Sequence, residues 1–430
     1  MSTEQRPHLL SIPLELLEHI LLFCHPHTVA HFSSTCRFGE DLVYRSADQY
    51  FWRQLFLLLF DDPRHAMNRL SVDPASFDWK GQLVRRMKAE RAVFIDTPGD
   101  RESALETLVC IAEEALPSRY SDYGDPPASR NIEWLDNVLR TSHILDVSFA
   151  PNEAQFGDRL KAYMGLSLKP ESEENAEVLS MIRTQSRCFV YDLRNYHPGN
   201  MWGPYLLDGN ISWSHVERII NVVETNLREQ QSLLIPRPPV GLQAIRAHSA
   251  PGDFTGSDWA GVEGTWRRYV CFMDYRDLFA FNFSDVYTGP RDPAFFDDRG
   301  FREATRLIEI NLHLITRDKM RVRFPTGDPP MDRNPDYPTL YMSGTSRGAS
   351  SQEALVQGFV YMGQDFIPRW RFTSIHDGQP QWSSEGAQIG GVGSAMGVAG
   401  TWSAFNHGEG DPVGPFWLWK VSDEPSRFTF

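Results

Sequence analysis

The chain has 430 residues, of which 41% are hydrophobic and 23% charged, a composition that argues against wholesale disorder and allows two or three domains. Its net charge of −14 disfavours non-specific binding to nucleic acids or anionic membranes, so we expect neither partner. The five cysteines include no C-x-x-C pair, which argues against a zinc knuckle and favours a reducing compartment, cytoplasmic or nuclear.

The first region, residues 9–60, contains three segments whose apolar residues recur at helical spacing. In the first segment, Leu14, Leu17 and Leu21 share one stripe, and acidic residues interrupt any signal-peptide or membrane-spanning run. Segments 29–43 and 46–60 repeat the pattern. We therefore predict three short helices, whose apolar surface is larger than so small a unit can bury. The excess should contact a partner or the rest of the chain.

The character of the chain changes near residue 240. Residues 61–240 contain long stretches with a 3.6-residue apolar period, which predicts a helical middle region. From residue 241 to 430 the pattern is that of strands: apolar residues alternate from Ile308 to Leu314, and Asp377-Gly378 is a strong hairpin-turn signal. The predicted fold class is α+β, with an antiparallel β-barrel or sandwich at the C-terminus.

Two nearly identical hexapeptides, "GVEGTW" and "GVAGTW", end at Trp266 and Trp402. The residues that come after them differ, so a duplicated domain is disfavoured. Glycine relieves bends in a coiled strand, and an inward tryptophan can close one end of a barrel. We predict that both tryptophans lie on strands near the start and finish of one barrel, adjacent at its seam.

Several motifs suggest chemistry that their context disfavours. "GTSRG" fits the G-x-S-x-G pattern, which would make Ser346 a nucleophile with Asp365 and either His376 or His407. The residues after this motif are typical of a loop returning to a strand rather than of a helix, so we disfavour a hydrolase. The histidines at 25, 27 and 31 lack an evident fourth zinc ligand, and the glycine-rich stretch 385–400 fits no phosphate-binding pattern. We expect no catalytic residue, no metal and no cofactor.

A string of residues in the first region resembles the F-box motif: Ile12-Pro13, Glu15-Leu16-Leu17, Ile20-Leu21, Thr35-Cys36-Arg37 and Phe51-Trp52-Arg53-Gln54-Leu55. Phe38 stands near the position that a tryptophan usually holds in this motif. The resemblance implies a three-helix F-box that docks on the Skp adaptor of a Skp–cullin–F-box ubiquitin ligase. The residues expected to bind the adaptor are Pro13, Leu16, Leu17, Ile20, Leu21, Phe51, Trp52 and Leu55.

Much of residues 185–430 is similar to a large set of fungal F-box proteins, in segments such as "YDLRNYHPGNMWGPYLLDG" and "DPVGPFWLWK". This similarity implies a lipocalin-like, or calycin, barrel, whose first strand would carry Gly264-Thr265-Trp266. The barrel would capture a protein substrate, so that the chain is a non-catalytic receptor. The candidate substrate-binding residues at the barrel mouth are Arg267, Tyr275, Arg276, Trp382 and Glu385. The alternative is a small-molecule-binding or ligand-sensing protein without a ligase role.

Overall fold

The chain forms two compact units, Met1–Leu116 with Ala128–Asp146 and Pro117–Pro127 with Val147–Phe430. The predicted boundaries at 60 and 240 do not coincide with this division, because the helical middle region contributes to both units. A computed structural model describes residues 12–45, 49–65, 77–95, 99–118, 128–230, 235–252, 254, 256–284, 289–298, 301, 303–332, 334–348 and 353–422.

The first unit is helical in its described residues, and its first 60 residues hold four helices instead of the predicted three. The predicted second helix is interrupted because the Ser34 and Thr35 hydroxyls donate to carbonyls of the preceding turn. Cys36 is extended, and its Sγ accepts from the N–H of Gly39, which starts a new helix. The helices are α1 (Leu14–Leu22), α2 (Pro26–Ser33), α3 (Arg37–Tyr44), α4 (Tyr50–Leu59), α5 (Trp79–Ile95), α6 (Arg101–Glu113) and α7 (Arg130–Ser142).

The second unit combines helices with a barrel. Its helices are α8 (Pro151–Met164), α9 (Ala176–Val190), α10 (Trp213–Glu229) and α11 (Tyr275–Phe283). The most buried of them is α10, which packs on α8, on α9 and on the outer wall of the barrel. The Arg187 guanidinium on α9 forms a buried ion pair with Glu303 at 2.6 Å, which joins that helix to a barrel strand. No helix among the described residues has the length and apolar character needed to cross a membrane.

Eight antiparallel strands close the barrel in chain order, and the last strand pairs with the first. The predicted antiparallel barrel is therefore confirmed. Asp377 and Gly378 both have positive φ and connect two strands directly, as their hairpin signal predicted. The strands are β1 (Gly264–Met273), β2 (Glu303–Ile315), β3 (Leu340–Gly348), β4 (Ala354–Met362), β5 (Pro368–His376), β6 (Gln379–Gln388), β7 (Val398–Ala404) and β8 (Val413–Lys420).

The tryptophans of the two hexapeptides lie in the same barrel but are not neighbours. Trp266 is on β1 and Trp402 on β7, and β8 separates the two strands. Trp266 lies opposite Lys420 and Trp402 opposite Gly414, six residues apart on β8 and hence about 20 Å. The prediction of one barrel is confirmed, whereas the prediction that the two strands are adjacent is wrong, because the seam joins β1 to β8.

One buried carboxyl on α10 predicts a pH-dependent stability. Burial raises the pKa of Glu224 from 4.5 to about 7, although its carboxylate accepts a hydrogen bond from the Leu166 N–H. The folded state then holds this proton more tightly than the unfolded state does. The contribution of this proton to the free energy of unfolding is complete below pH 4.5 and is lost as the pH rises through about 7.

We expect the free energy of unfolding of the wild type to fall between pH 5 and pH 8 by up to about 3 kcal/mol more than that of Glu224→Gln. Urea unfolding at the two pH values measures this difference. Glu177→Gln, at an exposed position of α9, should keep the wild-type pH dependence. An equal pH dependence in Glu224→Gln would contradict the expectation.

Candidate functional site

The described part of the first unit exposes an apolar surface at α1, formed by Leu16, Ile20 and Phe23 (the α1 surface). Leu16 is 55% exposed, Ile20 46% and Phe23 80%. They occupy one stripe of the helix, because positions three and four residues apart lie on the same side. Large apolar side chains so exposed on a single helix face indicate a surface that a partner covers.

The eight predicted adaptor-binding residues divide between this surface and the core. Pro13, Leu16 and Ile20 are exposed. The other five lie in the interior of the unit, so their side chains are not exposed to a partner in this structure. Helical spacing identified the stripe of Leu14, Leu17 and Leu21 without deciding whether it faces the interior or a partner. The buried residues are Leu17, Leu21, Phe51, Trp52 and Leu55.

The interior of the barrel is filled at one end, which we call the closed end. Trp266 and Trp370 meet edge to face, with ring centroids 5.0 Å apart, and both are almost completely buried. The segment before β1 covers this end with Trp259 and Val262, and the Trp266 indole N–H donates to the Val262 carbonyl at 2.9 Å. A plug of this kind leaves no room for a ligand at the closed end.

The opposite end of the interior is open. Trp382 alternates inward on β6 but is 38% exposed, and it meets Trp402 edge to face at 5.3 Å. Val270 and Ile308, which also face inward, are only partly buried. Aromatic and aliphatic side chains that water partly reaches therefore line this end of the interior.

The charges inside the barrel all have one sign. Side chains at alternate positions of the eight strands point inward, and among these described positions the charged residues are Arg268, Arg306 and Lys420. None of the inward positions on the described strands holds an aspartate or a glutamate. The bias is opposite to the net charge of −14 of the whole chain.

Arg268 lies in the middle of the barrel, one inward position from Lys420, which is at the closed end. Its guanidinium lies over the rings of Phe416, at 4.3 Å, and Phe372, at 5.0 Å, and donates to the Ser384 hydroxyl at 2.7 Å. No carboxylate among the described residues pairs with it, and its Nε has no hydrogen-bond partner. Burial lowers the pKa of Arg268 to about 9, because the low-dielectric interior penalises the charge.

Glu385, predicted to bind substrate, is instead part of a buried ion pair on the outer face of the wall. Its Oε1 lies 2.6 Å from Nε of Arg371, and both side chains are almost completely buried. Burial raises the pKa of Glu385 to about 7, and the charge of Arg371 opposes this rise. Glu385 therefore does not line the barrel mouth. Neighbouring positions on a strand face opposite sides, and Ser384 is the one that faces inward.

The other predicted mouth residues do not form one cluster either. Arg267 alternates outward on β1, opposite Glu309 of β2. Tyr275 and Arg276 are exposed at the start of α11, where Arg276 pairs with Asp274 at 3.2 Å. Of the five candidates, only Trp382 lines the interior. The predicted set omitted the inward Arg268, for which strict alternation from the inward Trp266 was the available signal.

A second concavity, of about 410 Å³, lies outside the barrel wall between the segment before α10 and the β7–β8 connection. His407 stacks on Trp202 with ring centroids 4.0 Å apart, and its Nδ1 lies 2.9 Å from the Ser403 hydroxyl. Burial lowers the pKa of His407 to about 4, so the ring is neutral. Met201, Trp202 and His407 all have positive φ, a strained arrangement for residues with side chains.

The motifs that suggested chemistry take structural roles. "GTSRG" lies within the continuous strand β3, so Ser346 is not on the strand-to-helix elbow that a hydrolase needs. Asp365 pairs with Arg369 at 2.9 Å. No group of three or more metal-ligating side chains occurs among the described residues. The glycine-rich stretch forms the end of β6, a turn and the start of β7.

Comparison with known proteins gives no relative. No protein-family model matches the chain, and neither a curated protein nor a solved structure does. The function must therefore be inferred from the α1 surface and the barrel interior.

Proposed function

We propose that the chain is an F-box substrate receptor of a Skp–cullin–F-box ubiquitin ligase. The first unit would dock on the Skp adaptor through the α1 surface, and a lipocalin-like barrel in the second unit would capture a protein substrate. The observation that carries the proposal is the exposed apolar stripe of α1, which lies within the residues that resemble the F-box. An adaptor that covers Leu16, Ile20 and Phe23 would remove their apolar area from water.

A receptor of this kind needs no bond chemistry of its own. Holding a substrate near a ubiquitin-loaded enzyme raises the effective concentration of its lysines, which accelerates their modification. The two compact units are consistent with a division of labour between adaptor binding and substrate binding.

The α1 surface provides the test. We expect Leu16→Asp/Ile20→Asp to reduce co-purification with the Skp adaptor at least about tenfold, because two charges would be buried in an apolar contact. Since both side chains are exposed, the helical circular dichroism signal should be unchanged. Equal adaptor binding by this variant, or no binding by the wild type, would contradict the proposal.

Ser103→Asp is the matched control, because it adds a carboxylate at an exposed position of α6 in the same unit. It should bind the adaptor like the wild type. A further use of the double variant is the capture of substrates in cells, since a receptor that has lost its adaptor holds its substrate without modifying it. Proteins enriched with the variant should be stabilised when the wild-type chain is deleted.

A further inference from the structure

The connection between β2 and β3 carries a row of positive charges along the outside of the barrel. Residues 319–324 (the strap) alternate between exposed positions and positions that are at least partly buried, and Met320 has extended backbone angles. Alternate positions of an extended chain lie on one side, about 7 Å apart, so the exposed residues form a single row. These residues are Lys319, Arg321 and Arg323.

The wall of the barrel beneath the strap holds its backbone in place. The Gln357 side chain accepts a hydrogen bond from the Arg321 N–H at 3.0 Å and donates one to the Lys319 carbonyl at 3.4 Å. Phe324 is 7% exposed and packs edge to face on Phe359, with ring centroids 5.3 Å apart. The cations are therefore presented on a backbone that is fixed before any partner binds.

The row lacks carboxylate partners, although the chain has 56 acidic residues and only 42 basic ones. Neither Arg321 nor Arg323 forms an ion pair or a side-chain hydrogen bond with any described residue. Of the acidic residues in the same connection, Asp328 pairs with Arg317 at 3.1 Å, and Asp318 lies beside the first cation of the row. Single surface cations are ordinarily hydrated, but a rigid row of them on an acidic protein indicates an anionic partner.

The main chain at the centre of the strap is unpaired as well. The backbone groups of Val322 and Arg323 form no hydrogen bond within the part of the chain that the structure describes. An extended segment with unpaired N–H and C=O groups is a template on which another extended chain can add as a strand.

We propose that the strap binds an extended acidic segment of another protein by strand addition. Main-chain hydrogen bonds hold the segment, and aspartate or glutamate at its alternate positions pairs with the row of cations. The net charge of −14 disfavours nucleic acids and anionic membranes, which need a wide basic surface, whereas one row of cations matches one extended chain. The inference goes beyond the proposed function and does not depend on the adaptor, since it concerns residues of the second unit alone.

Fluorescence anisotropy of labelled peptides, titrated with the full-length protein, tests the strap. One peptide alternates threonine with glutamate, a second has glutamine in place of glutamate, and a third is the glutamate peptide with methylated backbone nitrogens. We expect the glutamate peptide to bind about tenfold more tightly than the glutamine peptide, the combined effect of a few exposed charge pairs. Methylation removes the N–H donors and should also weaken binding about tenfold. Equal binding of the glutamate peptide and either of the other two would overturn the proposal.

Substitutions in the strap identify the site. Arg321→Gln/Arg323→Gln should weaken binding of the glutamate peptide about fivefold and leave the melting temperature unchanged, because both side chains are exposed. Arg321→Lys/Arg323→Lys keeps the charges and should bind within about twofold of the wild type. Arg276→Gln/Arg347→Gln removes two exposed cations elsewhere in the second unit and should bind like the wild type. If both glutamine variants weakened binding equally, net charge alone would account for it and the strap would not be the site.

Other polyanions are distinguished by competition in the same assay. A single-stranded oligonucleotide of equal charge, or vesicles that contain phosphatidylserine, should displace the labelled glutamate peptide less well than the unlabelled peptide does. If either displaced it better, the partner would not be an acidic protein segment and the proposal would be refuted.

Discussion

Glu385→Gln should destabilise the barrel by roughly 3–5 kcal/mol at pH 8, a large fraction of the stability of an ordinary domain. The substitution keeps the size of the side chain but leaves the buried Arg371 guanidinium without its carboxylate at 2.6 Å. The charge of Arg371 would then remain in the low-dielectric wall, where water cannot replace the lost partner.

Urea unfolding that is monitored through the hydrogen exchange of peptides from β5 and β6 would measure the loss of stability in the barrel independently of the first unit. Glu353→Gln makes the same chemical change at an exposed position before β4 and should stay within about 0.5 kcal/mol of the wild type. Replacing both partners, as in Arg371→Met/Glu385→Leu, should recover most of the lost stability, because no unpaired charge remains. If the double variant were as unstable as Glu385→Gln, the two side chains would have to stabilise the barrel by more than the neutralisation of each other's charge.

Trp266→Ala should cost about 3–5 kcal/mol, because it removes the largest part of the plug at the closed end. The ring is 3% exposed and packs against Trp370, and the truncated side chain would leave a cavity that the strands cannot collapse to fill. The same unfolding and exchange measurements apply, with peptides from β1 and β5 as reporters.

Trp402→Ala is the matched comparison, since the two tryptophans end nearly identical hexapeptides. Trp402 is only partly buried at the open end, although its indole donates to the Cys271 carbonyl at 2.9 Å. We expect a smaller loss, about 1–2 kcal/mol. Equal losses in the two variants would contradict the distinction between a closed and an open end.

Much of the secondary structure could be predicted from local patterns. The alternation through Ile308 and Ile310 belongs to a strand, and Asp377-Gly378 forms the predicted hairpin turn. The number of N-terminal helices could not be predicted, because the break at Cys36 depends on hydroxyl and thiol hydrogen bonds that propensity does not include. Short polar runs of this kind favour a helix interior and a helix cap almost equally.

The candidate site was harder to predict, because it depends on which face of each element is buried. Leu16 and Leu17 are neighbours of similar chemistry, yet one is 55% exposed and the other 1%. Arg267 and Arg268 are likewise adjacent, and the pleat sends one outward and the other into the barrel. Glu385 was predicted to bind substrate because it is a charged residue in a strand. Its partner Arg371 lies on a different strand, so no local sequence pattern indicated the ion pair.

The α+β class, the antiparallel strands of the C-terminal region and the excess of apolar surface at the N-terminus follow from residue periodicity and composition, so local patterns were enough to predict them. Periodicity left a barrel and a sandwich open, and the closed barrel was decided by the pairing of β1 with β8. Two features emerged only from the folded chain: Trp266 closes the barrel whereas Trp402 stands near its open end, and no carboxylate among the described residues pairs with Arg268. Burial and charge pairing are set by residues distant in the chain, which is why local patterns could not reveal them. A hexapeptide has backbone preferences of its own, but it does not determine which strand pairs with it.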